Sequence, residues 1–127
     1  MIAIFGGTFN PIHNGHIAVA KQVHEELSYD SIVFIPNRHP PLKDYEEQAS
    51  DLDRLIMVKL ATSRYEYMSV DTREFKREGT SYTIDTVKEF NERIGLIIGS
   101  DQAKQFKKWK DWEQILERVD LIVAKRK

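Results

Sequence analysis

Five short apolar runs, with helix-period segments between them, leave few folds open to this chain. The runs are IAIF at 2–5, SIVFIP at 31–36, YMSVD at 67–71, GLIIG at 95–99 and DLIVA at 120–124. They are rich in β-branched residues and bounded by Gly, Pro or polar residues, which predicts strands. From Asn14 to Leu27 the residues Ile17, Val19, Ala20, Val23 and Leu27 share one helical face. Ser50 with Asp53 predicts a helix start, and Leu52, Leu55, Ile56 and Leu60 form an apolar stripe reaching about Ala61. REFKREG (73–79) reads as a polar turn. Thr80 or Ser81 is placed to cap a helix with the face Ile84, Val87, Phe90 and Ile94. SDQAKQF (100–106) and WEQILERV (112–119) read as short helices. Strands alternating with helices imply right-handed crossovers and an α/β fold, a mainly parallel sheet with helices on both faces.

In such a sheet ligands bind beyond the carboxyl ends of the strands. Those ends carry Gly6-Gly7-Thr8, Pro36-Asn37 and Gly99-Ser100-Asp101, so the unusual residues fall where a site is expected. NRHPPLKDYEEQAS (37–50) is a long polar loop leading away from the second strand end, and loops of that length are mostly functional or mobile. The segment FGGTFNPIHNGHIAVA (5–20) is the densest of these regions. It holds two of the chain's four histidines, His13 and His16, between a glycine turn and a helix. Three readings are open: a zinc site, a phosphate site, or capping of the helix by imidazole. Zinc needs a third ligand, and HxxH lacks the HExxH arrangement. Imidazole N–H donors near a helix N-terminus suit phosphate oxygens. Neither GxGxxG nor GxxxxGK[ST] is present.

Composition narrows the class further. A formal net charge of −1 gives no excess for nucleic acid or an anionic membrane, and the four lysines around Trp109 make no basic stripe. No apolar run approaches the roughly 20 residues needed to cross a bilayer. MIAIFGG has no basic segment of the kind a signal peptide carries. The chain contains no cysteine, which excludes disulfides and thiolate metal sites. A cytoplasmic setting is expected. The 127 residues are the length of one domain.

GTFNPIHNGH (7–16) resembles the TFDPxHxGH signature of nucleotidyltransferases that adenylylate small phosphorylated substrates. Two branches share it, the nicotinate-nucleotide adenylyltransferases and the phosphopantetheine adenylyltransferases. PNRHPPLK (36–43), REGTSYTIDTV (77–87), IIGSD (97–101) and KKWKDW (107–112) resemble segments of the first branch. They keep its order and spacing over nearly the whole chain.

The resemblance implies a Rossmann-like doubly wound domain over residues 1–127. It also implies transfer of adenylyl from ATP, with Mg2+, to nicotinate mononucleotide, giving deamido-NAD and pyrophosphate. By position, His13, His16 and Lys43 would act on the phosphates. Gly6, Gly7, Thr8, Phe9, Gly99 and Asp101 would line the ATP side, with Asp101 accepting ribose hydroxyls. Asn37, Thr83 and Trp109 would hold the acceptor, Trp109 stacking on the pyridine ring. Trp112 is expected in the core, His24 on the surface beside Glu25 and Glu26, and His39 without an assigned role.

The chain departs from the pattern in places. Asn10 stands for Asp, Leu42 for a histidine, and Thr80 for a proline. Family members continue past the strand matching DLIVAKR with an SSTxxR segment that contacts ATP. Nothing here matches it, so the domain is expected to be incomplete at its C-terminus, and the final strand to want a cover, as in a homo-oligomer. Nicotinamide mononucleotide and phosphopantetheine are the alternative acceptors, and a nucleotide-binding module without turnover is the reading of a different class.

Overall fold

A computed structural model describes residues 1–7, 9, 12–37, 50–77 and 82–125. Five strands form one sheet: β1 (Ile2–Gly7), β2 (Ser31–Pro36), β3 (Met68–Val70), β4 (Ile94–Gly99) and β5 (Val119–Ala124). The helices are α1 (Asn14–Leu27), α2 (Asp51–Thr62), α3 (Arg73–Lys76), α4 (Thr83–Lys88), α5 (Ser100–Lys104) and α6 (Trp112–Arg118). A single 3-10 turn covers Phe106–Lys108. The strand order is β3-β2-β1-β4-β5 and every pairing is parallel. The order reverses between β1 and β4, which puts the crevice for a ligand at the carboxyl ends of those two strands.

The two-residue strand period divides the core into two layers. Ala3, Phe5, Ile32, Phe34 and Ile97 face one side, where Ala20 and Val23 of α1 and Val58 of α2 cover them. Ile4, Ile35, Leu96 and Ile98 face the other, against Ile84 and Val87 of α4 and Ile115 of α6. A sheet buried on both faces is what near-continuous apolar runs dictate.

Several boundaries differ from the sequence reading. β1 runs on through Gly6 and Gly7, with Gly7 in register with Pro36 at the end of β2. REFK is a helical turn, α3, started where the Asp71 carboxylate accepts the Arg73 backbone N–H at 2.8 Å. Ile94 belongs to β4, and α4 stops at Lys88. The capping residues expected for α4, Thr80 and Ser81, lie outside the described residues. So do Asn10, Leu42 and His39.

Three of the four residues in the apolar stripe of α2 are turned outward, and Leu55 is half-buried. Leu52, Ile56 and Leu60 are 65%, 46% and 67% exposed, while the buried face is Arg54, Val58 and Thr62. The polar groups on that buried face find partners at once. Arg54 donates from Nη2 to the Asn37 carbonyl at 2.6 Å and pairs with Asp51, and the Thr62 hydroxyl donates to the Val58 carbonyl at 2.9 Å. With these bonds made, both side chains contribute apolar stems to the interior. His24 is not a plain surface residue either. Its ring stacks on Tyr67 at 3.7 Å and its Nδ1 lies 2.6 Å from the Tyr29 carbonyl. Trp112 is half-buried and packs against the second core layer, edge-on to Phe106.

Candidate active site

The turn after β1 is shaped by close approaches. Phe9 has a φ of 48°, a conformation uncommon outside glycine, and is 3% exposed. Its ring lies on Phe5 and Phe34 and meets the His16 ring edge-on at 5.1 Å. It also lies under Gly7, where a Cβ would come 3.3 Å from the ring carbon Cζ. The Phe9 side chain thus belongs to the core, leaving only its backbone to face a nucleotide.

His13 is the N-cap of α1. Its Nδ1 accepts the Gly15 backbone N–H at 3.0 Å, and the Nδ1 of His16 accepts the His13 backbone N–H at 3.1 Å. The two rings lie 3.9 Å apart, tilted by 30°. A ring nitrogen that accepts carries no proton, so the neutral form of each ring bears its hydrogen on Nε2. Capping and phosphate binding, open as alternatives in the sequence, are therefore compatible: one edge of each ring caps the helix and the opposite edge carries an N–H donor. Gly15 between them is required by space, because a Cβ there would sit 2.8 Å from His13 Cε1. Cα hydrogen alone fits under the ring.

Beside this turn lies a cavity of about 140 Å³ with Gly6, Asn37, Thr83, Gln102 and Trp109 in its wall. That size takes a single six-membered ring, since a cavity of similar volume in another protein holds benzene. Gly6 and Asn37 come from the ends of β1 and β2, Thr83 from the start of α4, and Trp109 from the segment after the 3-10 turn. Trp109 is half-buried, packed at 5.0 Å on Phe106. Asn37 is fixed from both directions, donating its N–H to the Gly7 carbonyl at 2.9 Å and accepting from Arg54. Gly99 is the N-cap of α5, and its N–H donates to the Gln102 side-chain oxygen at 2.9 Å. Asp101 is exposed in the first turn of α5, next to Gln102. Thr8 and Lys43 lie outside the described residues.

The sequence reading missed the floor of the cavity. Glu74 is 7% exposed and lines it. The Thr86 hydroxyl donates to Glu74 at 2.8 Å and accepts from Arg77 at 3.0 Å, and Arg77 pairs with Glu89 at 2.7 Å. Arg73 joins Asp71 at 2.6 Å and Glu89 at 2.9 Å. The Arg73 hydrogen bond is the main cause that holds the Asp71 carboxyl below its ordinary value, and Asp71 in turn raises Arg73. These links fasten α3 to α4 beside the cavity.

Among the described residues no group of three or more His, Asp or Glu side chains is placed to hold a metal ion.

Comparisons with known proteins give the family and the fold. A family described as cytidylyltransferase-like matches residues 4–127. A protein of Caldicellulosiruptor bescii, named "Probable nicotinate-nucleotide adenylyltransferase", is 43% identical over 98% of this chain and 65% of its own length. One of the same name from Aquifex aeolicus is 40% identical over 99% of this chain and 77% of its own length. The chain thus spans just under two thirds of the first and about three quarters of the second. Among solved structures, a Plasmodium falciparum nicotinic acid mononucleotide adenylyltransferase complexed with NaAD superimposes with a TM-score of 0.78. It is 19% identical and covers 98% of this chain and 64% of that one. At that identity the likeness speaks for the fold.

Proposed function

The chain belongs to the cytidylyltransferase-like family and to the nicotinate-nucleotide adenylyltransferases among its members, and from that premise we propose that it transfers adenylyl from ATP to nicotinate mononucleotide. The observation that carries the proposal is the end of β1 at the reversal point of the sheet, where Gly6 lines a ring-sized cavity and the chain then runs on to two imidazoles whose Nδ1 atoms accept backbone N–H groups. An oxygen of the acceptor's 5′-phosphate attacks the α-phosphorus of ATP. The new P–O bond forms as the bond to the β-phosphate bridging oxygen breaks, and pyrophosphate leaves. The attacking phosphate is already anionic at neutral pH, so no strong base is needed. The protein's work is alignment and stabilisation of charge on the transferred group.

In this reading His13 and His16 donate to the ATP phosphates, joined by Lys43 and by backbone at Gly6, Gly7, Thr8 and Phe9. Asp101, beyond Gly99, accepts the ATP ribose hydroxyls. Thr83 and Trp109 hold the pyridine ring in the cavity and Asn37 meets the acceptor phosphate. Magnesium enters with the nucleotide, as the Mg–ATP substrate. A cytoplasmic setting belongs to the same proposal. No helix among the described residues is long and apolar enough to cross a membrane.

A pyrophosphate-release assay tests the proposal. Mg–ATP is offered with nicotinate mononucleotide, nicotinamide mononucleotide or phosphopantetheine. The expected result is turnover fastest with the nicotinate compound. Turnover only with phosphopantetheine, or ATP binding without turnover on any acceptor, overturns it.

A further inference from the structure

The outward face of α2 points to self-association, and we propose that it is the contact between two copies of this chain, paired antiparallel about a two-fold axis beside Ile56. Leu52, Ile56 and Leu60 recur every four residues and are 65%, 46% and 67% exposed. They form one continuous ridge along the helix, unlike single scattered surface apolar residues. Such a ridge can pack beside the ridge of a second helix at the shallow crossing angle, about 20°, of helix bundles. A two-fold axis through the middle of the ridge brings Ile56 against its own copy and Leu52 beside the partner copy's Leu60.

The charges select the occupant and its direction. On the exposed surface of this helix the acid, Asp53, lies in the first turn, and the bases, Lys59 and Arg64, lie in or just past the last. Antiparallel pairing sets the acidic end of each helix beside the basic end of the other, and opposes the helix dipoles favourably. A parallel pair would stack like charges. An anionic lipid surface would meet the acid at one end of the ridge. A single helix face covers less than the ~800 Å² per partner of a tight interface, so the dimer is a weak, concentration-dependent one.

The natural chain has no cysteine, so an introduced thiol reports on its own. Ile56→Cys is expected to form a disulfide-linked dimer quickly under mild oxidation, because helices that touch there bring the two Cβ atoms within bonding reach. Leu52→Cys is expected to resist, its two copies lying ~12 Å apart along antiparallel helices. Leu116→Cys, an exposed position on α6, serves as the background rate. Sedimentation velocity over roughly a hundredfold concentration range should show a monomer–dimer shift that Leu52→Glu with Leu60→Glu abolishes without lowering the thermal midpoint. The proposal is overturned by a monomer at all concentrations, by a dimer that survives the double substitution, or by cross-linking of Ile56→Cys no faster than Leu116→Cys. Fast cross-linking of Leu52→Cys overturns the antiparallel arrangement. Because these readouts are masses and not rates of turnover, they stand whether or not the proposed reaction does.

Discussion

At the scale of single residues, the pair His13 and His16 shows how one side chain can serve fold and chemistry at once. Each imidazole spends Nδ1 on a backbone N–H at the start of α1, and in the proposed reaction its Nε2 edge meets the ATP phosphates. Replacing His16 by Ala removes a charge-directed donor from the proposed reaction and should lower kcat by roughly 10²–10³-fold. Circular dichroism should show the fold retained, since His16 is half-buried on the surface of the turn. A near-normal kcat would remove His16 from the phosphates. Gly15→Ala is a subtler test. The added methyl would collide with the His13 ring, 2.8 Å away, and must push it aside. Small misplacements of a positioned donor are costly, so kcat should fall roughly tenfold or more while the acceptor KM stays put. Steady-state kinetics on the purified variant decide it. A variant with unchanged kcat would mean that His13 is a cap and nothing else.

At the scale of elements, what was legible depended on whether a segment's pattern and its environment agreed. β1, β2 and α1 were readable because an apolar run or stripe went to the core as its period predicts, and a Ser50 cap on Asp53 announced α2. The buried face of α2 was not readable, because Arg54 and Thr62 look polar until their partners, the carbonyls of Asn37 and Val58, are known. α3 was hidden for the same reason: Glu74 is acidic in sequence but buried in space, where Thr86 meets it. His24 was hidden by its acidic neighbours, while its ring's partner, Tyr67, comes from a distant strand. Long-range polar pairing is thus what the local pattern lacks. The α3–α4 link offers a test. Thr86→Val keeps the shape but leaves Glu74 and Arg77 without their shared hydroxyl. Stability should drop by about 1–3 kcal/mol in urea unfolding. Because the link underlies the cavity, the acceptor KM should rise several-fold with the ATP KM unchanged. Thr86→Ser, which restores the hydroxyl, should recover most of both. A serine variant as impaired as the valine one would show that the methyl's packing matters and the hydroxyl does not.

At the scale of the whole molecule, the strand order decides how the work is divided. β1 stands between β2 and β4, and its carboxyl end opens onto two territories. One is the cavity bounded by Asn37, Thr83 and Trp109, reached from β2, α4 and the segment before α6, with Gln102 of α5 closing its wall. The other is the start of α5 beyond Gly99, where Asp101 is exposed. In the proposed reaction the histidine turn, which follows β1, is where the two substrates meet for an in-line transfer. If the topology separates the substrates in this way, lesions in the two territories should separate in kinetics. Asp101→Asn loses a charged acceptor for ribose hydroxyls, which at about 1.5–3 kcal/mol raises the ATP KM by about tenfold or more. The nicotinate mononucleotide KM should not follow. Trp109→Ala removes the stacking surface and should raise the acceptor KM by a comparable factor with the ATP KM unchanged. The double variant should then show both increases, each with its single-variant size, because the two changes act on different ligands and share no partner. Initial-rate measurements with each substrate varied at saturating levels of the other give all four constants. An Asp101→Asn variant that shifts the acceptor KM instead would exchange the two territories, and a double variant with either increase lost would show that they are one site.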